Sequence, residues 1–289
     1  MKTILASLSL ILVATAYAAE APPASVGVSP SRIELDVNGT SVTDSAMVMN
    51  MTDDTVHLSA SLVNWDLDEN NDFRELPTET GSLPTAMLLN PVDFSIPPHA
   101  TQTVRFAIMP ERLHGQGEHR AMLFVSELVD STDPGVRIRF RLGVPIYARV
   151  GTKTVSSDMH SVELRHENAS LNLDLDISST GTMQVRPSGY YLWWPKDSFP
   201  GEEIALKSVH RLKKDRSREV PEGATGGVIV TKPVFAGSRR VVRAKLQPPE
   251  LSGEYVLALH LEAGDQVVQR TMRFEAAQPA RVDVAQTAP

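Results

Sequence analysis

The sequence predicts an all-β protein built from two β-sandwich domains in tandem. Nearly every apolar segment alternates with a period of two, and Pro, Gly, Asn or Asp closes each segment, which is the pattern of half-buried strands separated by turns. The length of 289 residues allows about two domains. Two blocks of about 130 and 125 residues suit sandwiches of the immunoglobulin architecture. No convincing amphipathic helix is predicted.

The composition excludes several classes of protein. Asp and Glu number 35 against 28 Lys and Arg, and the net charge of −7 argues against a nucleic-acid binder that relies on phosphate neutralisation. The chain has no cysteine, which excludes disulfides, thiolate metal sites and cysteine nucleophiles. Packing alone must hold the core.

The first 18 residues have the pattern of a secretory signal peptide. Lys2 precedes an apolar run from Ile4 to Val13, and small residues follow up to Ala19, so cleavage is expected after Ala18. The alternative is a membrane anchor, but the run is about half of the ~20 residues that span a bilayer. We therefore expect an exported protein without membrane insertion. Because exported eukaryotic domains usually carry disulfides, the bacterial periplasm is the expected location.

The first predicted domain covers residues 19–151. Alternating apolar residues predict strands at Val56–Leu62, Phe94–Ile96, Val104–Ile108 and Ala121–Glu127. The acidic stretch Asp66–Asp72 is predicted to be a solvated loop.

The clearest strand pattern runs from Val136 to Val150. Every even position is apolar, and the odd positions include Arg137, Arg139 and Arg141. At about 3.3 Å per residue the segment would span about 50 Å, longer than one sandwich sheet needs. Pro145 cannot donate to a ladder, so the strand either lies at an edge or leaves its sheet near that residue.

The second predicted domain covers residues 152–276, and residues 277–289 are expected to be a flexible tail. Its strands are predicted at Leu171–Ile177, Val185–Trp194, Val241–Leu246, Tyr255–Leu261 and Val267–Phe274. The charged segment Lys207–Glu222 is predicted to be an exposed loop or hairpin. A faint repeat relates residues 103–123 to residues 241–259, which favours two units of one kind.

No motif indicates an enzyme, a metal site or a cofactor. The close histidine pairs are His114 with His119 and His160 with His166, and neither pair is accompanied by a supporting acidic motif. The sequence contains no G-x-S-x-G, no H-E-x-x-H and no phosphate-binding glycine loop. We predict no catalytic residue, no metal ligand and no cofactor.

The apolar face of the Val136–Val150 segment has two interpretations. It covers the core of its own domain, or part of it is unpaired and joins a partner by β-strand addition. An exposed apolar edge without such a purpose would be an aggregation hazard. The row of arginines on the other face is either a protection against that hazard or ordinary solvated charge.

Several short motifs of the first domain resemble those of the PapD-like periplasmic chaperones, which assemble pili in the chaperone-usher pathway. The motifs occur in the family's order over about 130 residues, and the second domain matches only as an all-β domain in a similar position. The matching segments are Val28–Leu35, Asn50, Asn90–Pro91 with Phe94 and Pro97–Pro98, Thr103–Phe106, Glu118–Arg120 and Ile146–Arg149.

The resemblance implies a set of site residues. Family members donate alternate apolar residues of the last strand of the first domain to an incomplete subunit. The residues at those positions are Val136, Ile138, Phe140, Leu142 and Val144. Arg32 falls on the position of an arginine that binds the subunit's terminal carboxylate, while Pro145 replaces the lysine that assists it. Arg141 is on the same face but about 13 Å away along a strand.

The family's interdomain salt bridge would take Glu118 and Arg149 here, and its acidic third member in the second domain has no counterpart that we can locate. The alternative is a pair of ordinary surface charges.

The expected function is therefore that of a non-enzymatic periplasmic chaperone. It would bind pilus or fimbrial subunits by donating a strand and deliver them to an outer-membrane usher. The free protein could also cover its own strand by forming a dimer with a second copy. The alternative function is that of an exported immunoglobulin-like structural or adhesive protein without chaperone activity. The unmatched second domain and the missing lysine favour this alternative.

Overall fold

The computed structural model of the protein describes residues 26–128, 140–167, 170–214, 220–250 and 252–276. The predicted signal peptide and the predicted tail lie outside these residues. The described elements are β1 (Val26–Ser29), β2 (Ile33–Val37), β3 (Val42–Asn50), β4 (Val56–Leu67), β5 (Phe73–Leu76), β6 (Met87–Asn90), β7 (Asp93–Ile96), β8 (Thr101–Ile108), β9 (Gly117–Glu127), β10 (Arg141–Val150), β11 (Ser157–Glu167), β12 (Ser170–Ser179), β13 (Ser188–Pro195), α1 (Glu202–Lys214), β14 (Thr225–Val230), β15 (Arg239–Leu246), β16 (Gly253–Ala263) and β17 (Gln266–Ala276).

Two sheets form the first sandwich. One has the order β1-β3-β8-β6, and the other has the order β2-β10-β9-β4-β5, with β7 also paired to β4. All pairs are antiparallel except β2 with β10, which is parallel. The inward side chains of both sheets form one core, as the period-two pattern requires. Val48, Leu58, Val104 and Leu123 are among its members without exposed surface.

Two further sheets form the second sandwich, with the orders β11-β12-β15 and β14-β13-β16-β17. The alternation in β12 places Leu171, Leu173, Leu175 and Ile177 in the core, all fully buried. These two sandwiches confirm the predicted all-β fold. The predicted strand Val185–Trp194 is displaced, because Val185 makes an isolated bridge with Val234 and β13 begins at Ser188.

The prediction of a loop or hairpin over Lys207–Glu222 is wrong for its first half, because α1 extends from Glu202 to Lys214. Ala205 and Val209, four residues apart, are fully buried against Leu192 and Trp194 of β13. Two acidic residues occupy the first turn, where they complement the helix dipole. Within the described residues, no helix is both long enough and apolar enough to cross a membrane.

Asp66 and Leu67 lie within β4, so the predicted Asp66–Asp72 loop is shorter than expected. The chain turns at residues 68–72 and returns as β5. The resulting β4–β5 hairpin projects toward the second domain, where its turn makes several polar contacts.

Candidate functional site

The most unusual feature of the first domain is the edge of β10. On one side β10 pairs with β9 along its whole length, from Arg141 opposite Ser126 to Val150 opposite Gly117. On the other side β2 pairs only with Ile146–Val150. Among the described residues, no strand covers the second side of Arg141–Pro145, which we call the open edge.

The backbone groups of the open edge follow from the ladder. The Glu127 amide donates to the Phe140 carbonyl at 3.2 Å, which makes these two residues a hydrogen-bonded pair. Since such pairs alternate in an antiparallel ladder, the even residues of β10 bond to β9 and the odd ones direct their N–H and C=O groups away from it. Arg141 and Gly143 thus present both groups at the open edge, whereas Pro145 has no N–H and its carbonyl faces β2, whose pairing with β10 begins at Ile146. Of the two predictions for Pro145, an edge strand or a strand that leaves its sheet, the first is confirmed, because β9 pairs with all of β10 while β2 pairs with it only from Ile146 onward.

The even side chains of β10 face the core of the first domain. Val144 is 2% exposed, and Phe140 and Leu142 are partly buried against the same core. Val136 and Ile138, also predicted to bind a subunit, lie outside the described residues. The described part of the apolar face therefore covers the core of its own domain. The groups of this segment that remain accessible to a partner are chiefly those of the main chain.

The odd side chains lie on the outer face, beside an aromatic cluster. The Arg141 guanidinium sits 3.5 Å from the centroid of the Phe124 ring and 3.2 Å from a carboxylate oxygen of Glu75. A Cβ at Gly143 would lie 3.0 Å from side-chain atoms of Met122 and Phe124, so a larger residue there would require those side chains to move by a few tenths of an ångström. Arg141 is thus held by neighbours at the start of the open edge.

Arg32 lies at the other end of the open edge. Ile33 is level with Ile146 in the parallel pair, which puts Arg32 level with Pro145, where β2 stops covering β10. Its side chain is 45% exposed, and its Nε lies 2.8 Å from an oxygen of Glu34. A partly exposed guanidinium therefore marks the place where the open edge ends.

Glu118 and Arg149 come together, as the resemblance implies, on directly opposite positions of β9 and β10. Glu118 is 1% exposed, and one of its oxygens lies 4.0 Å from Nε of Arg149. Burial raises the pKa of Glu118, while the Arg149 guanidinium and the main chain at Gln184 oppose that rise. Glu118 is therefore not an ordinary surface charge.

The third charged member of this group is Glu34, on β2 of the first domain, which pairs with Arg149. No carboxylate from the described part of the second domain joins the group. The second domain instead contributes Arg186, which donates to the Tyr147 hydroxyl at 2.8 Å. Burial raises the pKa of Tyr147, so its hydroxyl remains protonated at neutral pH.

The turn of the β4–β5 hairpin makes the second set of contacts between the domains. The Arg240 guanidinium donates to the carbonyls of Leu67 and Asp68 at 2.8 and 2.6 Å. Asn71 donates to the Val241 carbonyl at 2.8 Å, and Asp72 pairs with Lys232 at 2.9 Å. The domains are thus joined at two places.

An aromatic cluster lies between these two places. The rings of Trp65 and of Phe235 in the second domain pack edge to face with their centroids 5.3 Å apart. The Arg120 guanidinium lies over the Phe235 ring, 3.8 Å from its centroid. Burial lowers the pKa of Arg120, and Asp66 opposes that shift. The joint is therefore packed as well as hydrogen-bonded.

The sequence analysis missed Glu34, Tyr147, Arg186 and Arg240. Only Glu34 had a local signal, because it follows Arg32 at a spacing of two and so shares a strand face with it. The other three form hydrogen bonds with partners that lie 39 to 173 residues away in the sequence. Periodicity and local spacing carry no information about contacts at such separations.

No protein-family model matches the chain, and no curated protein matches it. Its structure is similar, over most of the chain, to solved structures of fimbrial chaperones. A class 5 fimbriae chaperone, CfaA, is 10% identical with a TM-score of 0.42, covering 87% of this chain and 99% of that one. The Escherichia coli chaperone DraB is 12% identical with a TM-score of 0.40, covering 88% and 96%. The CsuC–CsuE chaperone–tip adhesion subunit complex of Acinetobacter baumannii matches at 12% identity and a TM-score of 0.42, covering 86% and 98%.

Proposed function

We propose that this protein is a periplasmic chaperone that binds a pilus or fimbrial subunit along the open edge of β10. The observation that carries the proposal is the uncovered side of Arg141–Pro145, in a strand that is otherwise paired on both sides. Delivery of the subunit to an outer-membrane usher rests on the resemblance of the first-domain motifs to those of the PapD-like family.

An added strand at this edge would form main-chain hydrogen bonds with Arg141 and Gly143. Each such bond contributes about 0.5–1.5 kcal/mol net. Apolar contacts contribute more, because each large side chain buried in a subunit groove is worth about 1.5–3 kcal/mol. Phe140 and Leu142 retain exposed surface for such contacts, whereas Val144 is buried and supports the strand from within the core. Our proposed contact set is therefore Ile138, Phe140 and Leu142, with Val136 before them.

Arg32 gives the proposed site a direction. A bound strand that lies in line with β2 and runs the same way would end beside Arg32, since β2 begins one residue later. A guanidinium can bind a terminal carboxylate through two parallel hydrogen bonds. Glu34 already engages Arg32, so carboxylate binding requires Arg32 to share or exchange that partner.

The test is co-purification from the periplasm of cells that also express a pilus or fimbrial subunit from the same organism. We expect a subunit to co-purify with the natural protein, and the Ile138→Asp/Phe140→Asp double variant to lose it. Phe140 packs on the core, so urea unfolding of each variant is measured in parallel. Leu88→Asp is the matched control, because Leu88 is an apolar residue 58% exposed on the other sheet. Normal subunit yield with the double variant would contradict the proposal.

A second comparison tests the anchor. Arg32→Ala is expected to weaken subunit binding more than Arg139→Ala, since a desolvated guanidinium–carboxylate pair is worth more than a solvated charge, which is the sequence expectation for Arg139. Equal losses would show that Arg32 is ordinary surface charge. If no subunit is captured and the protein is found in the assembled fibre or on the cell surface, the structural or adhesive alternative is correct.

A further inference from the structure

Three methionines occupy alternate positions at the end of β3, in the sequence Met47-Val48-Met49-Asn50-Met51. Val48 and Asn50 point inward and are 0% and 2% exposed, so the methionines share the outer face. Met47 and Met51 are 48% and 50% exposed. The chain has ten methionines, and these are three of them. Packing in the core of the first domain does not explain why Met47 and Met51 stand at exposed positions.

Two side chains of this methionine row reach over the same glycine. A methyl group placed on the Gly27 Cα would lie 3.2 Å from Cε of Met49 and 3.6 Å from Cε of Met51, so the terminal methyl groups of both side chains lie over that glycine. Met47 begins about 6.6 Å from Met49 along the strand, and the three rotatable bonds of a methionine allow its sulfur to reach the same space. The glycine at position 27 keeps that space free of a side chain.

The surroundings favour a cation. The residues directly opposite Met47 and Met49 on the neighbouring strands are Ser29, Thr103, Gly27 and Thr101, all uncharged. The turn that follows Met51 carries Asp53, which lies 2.9 Å from Nε2 of His99, and Asp54, and both carboxylates add negative charge at the same end of the strand. Oxygen- and nitrogen-preferring metals have no comparable group of His, Asp and Glu within the described residues.

We propose that Met47, Met49 and Met51 form a binding site for a soft monovalent cation, Cu(I) or Ag(I). Thioether sulfur is a soft, uncharged ligand that selects Cu(I) over divalent metals such as Zn²⁺. Binding requires no deprotonation, because a thioether carries no acidic hydrogen, and no electron transfer. In a chain without cysteine, methionine is the only source of sulfur ligands.

The test is a titration of the full-length protein with Ag(I) in chloride-free buffer, since Ag(I) has the same preference for sulfur and is not oxidised in air. Methionine methyl groups labelled with ¹³C report each site separately by NMR. We expect the Met47, Met49 and Met51 resonances to shift together and saturate at one ion per chain. The Met47→Leu/Met49→Leu/Met51→Leu variant keeps the apolar surface and is expected to bind at least about tenfold more weakly, which is about 1.4 kcal/mol.

Met272→Leu is the matched control, because Met272 is a partly buried methionine of the second domain outside this group, and it is expected to leave Ag(I) binding unchanged. Titration with Zn²⁺ is expected to leave the three resonances in place. Methyl shifts spread over the other exposed methionines, or equal Ag(I) affinity in the triple leucine variant, would overturn the proposal. The NMR assignment decides the matter in the natural protein even if the triple variant folds poorly.

Discussion

Removing Arg149 should destabilise the protein by an amount that depends on pH, because Glu118 beside it is buried. Glu118 is 1% exposed and Arg149 is 25% exposed, so Arg149→Met leaves a carboxylate without its nearest compensating cation. Glu34 also loses a partner, but it is 28% exposed and is expected to contribute no more than about 1 kcal/mol.

Protonation of Glu118 limits how much unfolding free energy the Arg149→Met variant can lose. A carboxyl with an ordinary pKa of 4.5 can take up a proton at pH 7 at a cost of about 3.4 kcal/mol, since each pH unit is worth about 1.36 kcal/mol. The Glu118 contribution to the destabilisation at pH 7 is therefore at most about 3.4 kcal/mol. In the variant the folded-state pKa rises further above the unfolded value, so the penalty is present above that pKa and fades as the pH falls toward 4.5. At pH 5 about 0.7 kcal/mol of it remains.

Urea unfolding of the natural protein and of Arg149→Met at pH 7, 6 and 5 measures this dependence. Glu118→Gln is the key companion variant, because it removes the charge and keeps the shape. Since burial raises the pKa of Glu118, folding penalises its charged form, and Glu118→Gln is expected not to lower the free energy of unfolding at pH 7. Adding Glu118→Gln to Arg149→Met should recover most of the loss.

A loss that does not change between pH 7 and pH 5 would refute this reasoning, and so would a double variant no more stable than Arg149→Met alone. Additive single effects, each well under about 1 kcal/mol, would show that Glu118 and Arg149 are not coupled.

Three further outcomes are expected. Arg240→Ala removes two hydrogen bonds to the carbonyls of Leu67 and Asp68, so it should weaken the joint by about 1.5–3 kcal/mol and enlarge the radius of gyration in small-angle scattering, whereas Arg74→Ala, at an exposed 3.8 Å pair, should change neither. The Arg243 hydrogen bonds lower the pKa of Asp174, so its ionised form contributes stability above the ordinary pKa of 3.8, and this stability is lost as the pH falls through the lowered pKa. Asp174→Asn should therefore destabilise the protein at pH 7. In acid-unfolding curves the difference in stability between this variant and the natural protein should disappear. Val209→Asp should cost more than about 2 kcal/mol in urea unfolding, because Val209 of α1 is fully buried against β13, while Ile204→Asp, 57% exposed on the same helix, should stay within about 0.5 kcal/mol.

Strand positions were predictable wherever one face of a strand is buried. In β12, and in β15 apart from the exposed Val241, inward apolar residues alternate with polar ones, and the predicted segments Leu171–Ile177 and Val241–Leu246 lie inside the observed strands. The faint repeat is also structurally meaningful, since β8 and β9, like β15 and β16, are consecutive strands in the two sheets of one sandwich. Period two identifies a strand because the sheet itself imposes it.

The helix could have been predicted and was not. Ala205, Val209 and Leu212 are spaced at four and three residues, with Glu202 and Glu203 in the first turn and basic residues at the end. The high charge of the segment masked this pattern, because only a narrow stripe of α1 is apolar. That stripe is enough to hold the helix, since it covers the part of the sheet around Leu192 that would otherwise be exposed.

The joint between the domains could not be predicted from local pattern. Tyr147 occupies an odd position of β10, and nothing in the alternation distinguishes it from the arginines on either side. It is nevertheless 1% exposed, because Arg186 and the aromatic cluster cover it. Burial at such a site is decided by the second domain and not by the strand.

The two halves of β10 link the open edge to the joint. Arg141–Pro145 has one free side, and two and four residues later the same strand carries Tyr147 and Arg149 into contacts with Arg186, Glu118 and Glu34. A strand fixed at one end by buried polar groups cannot shift its register without breaking them. The contacts of the joint therefore hold the open edge in one register, and a partner strand that adds to it meets a template whose free N–H and C=O groups are already in place.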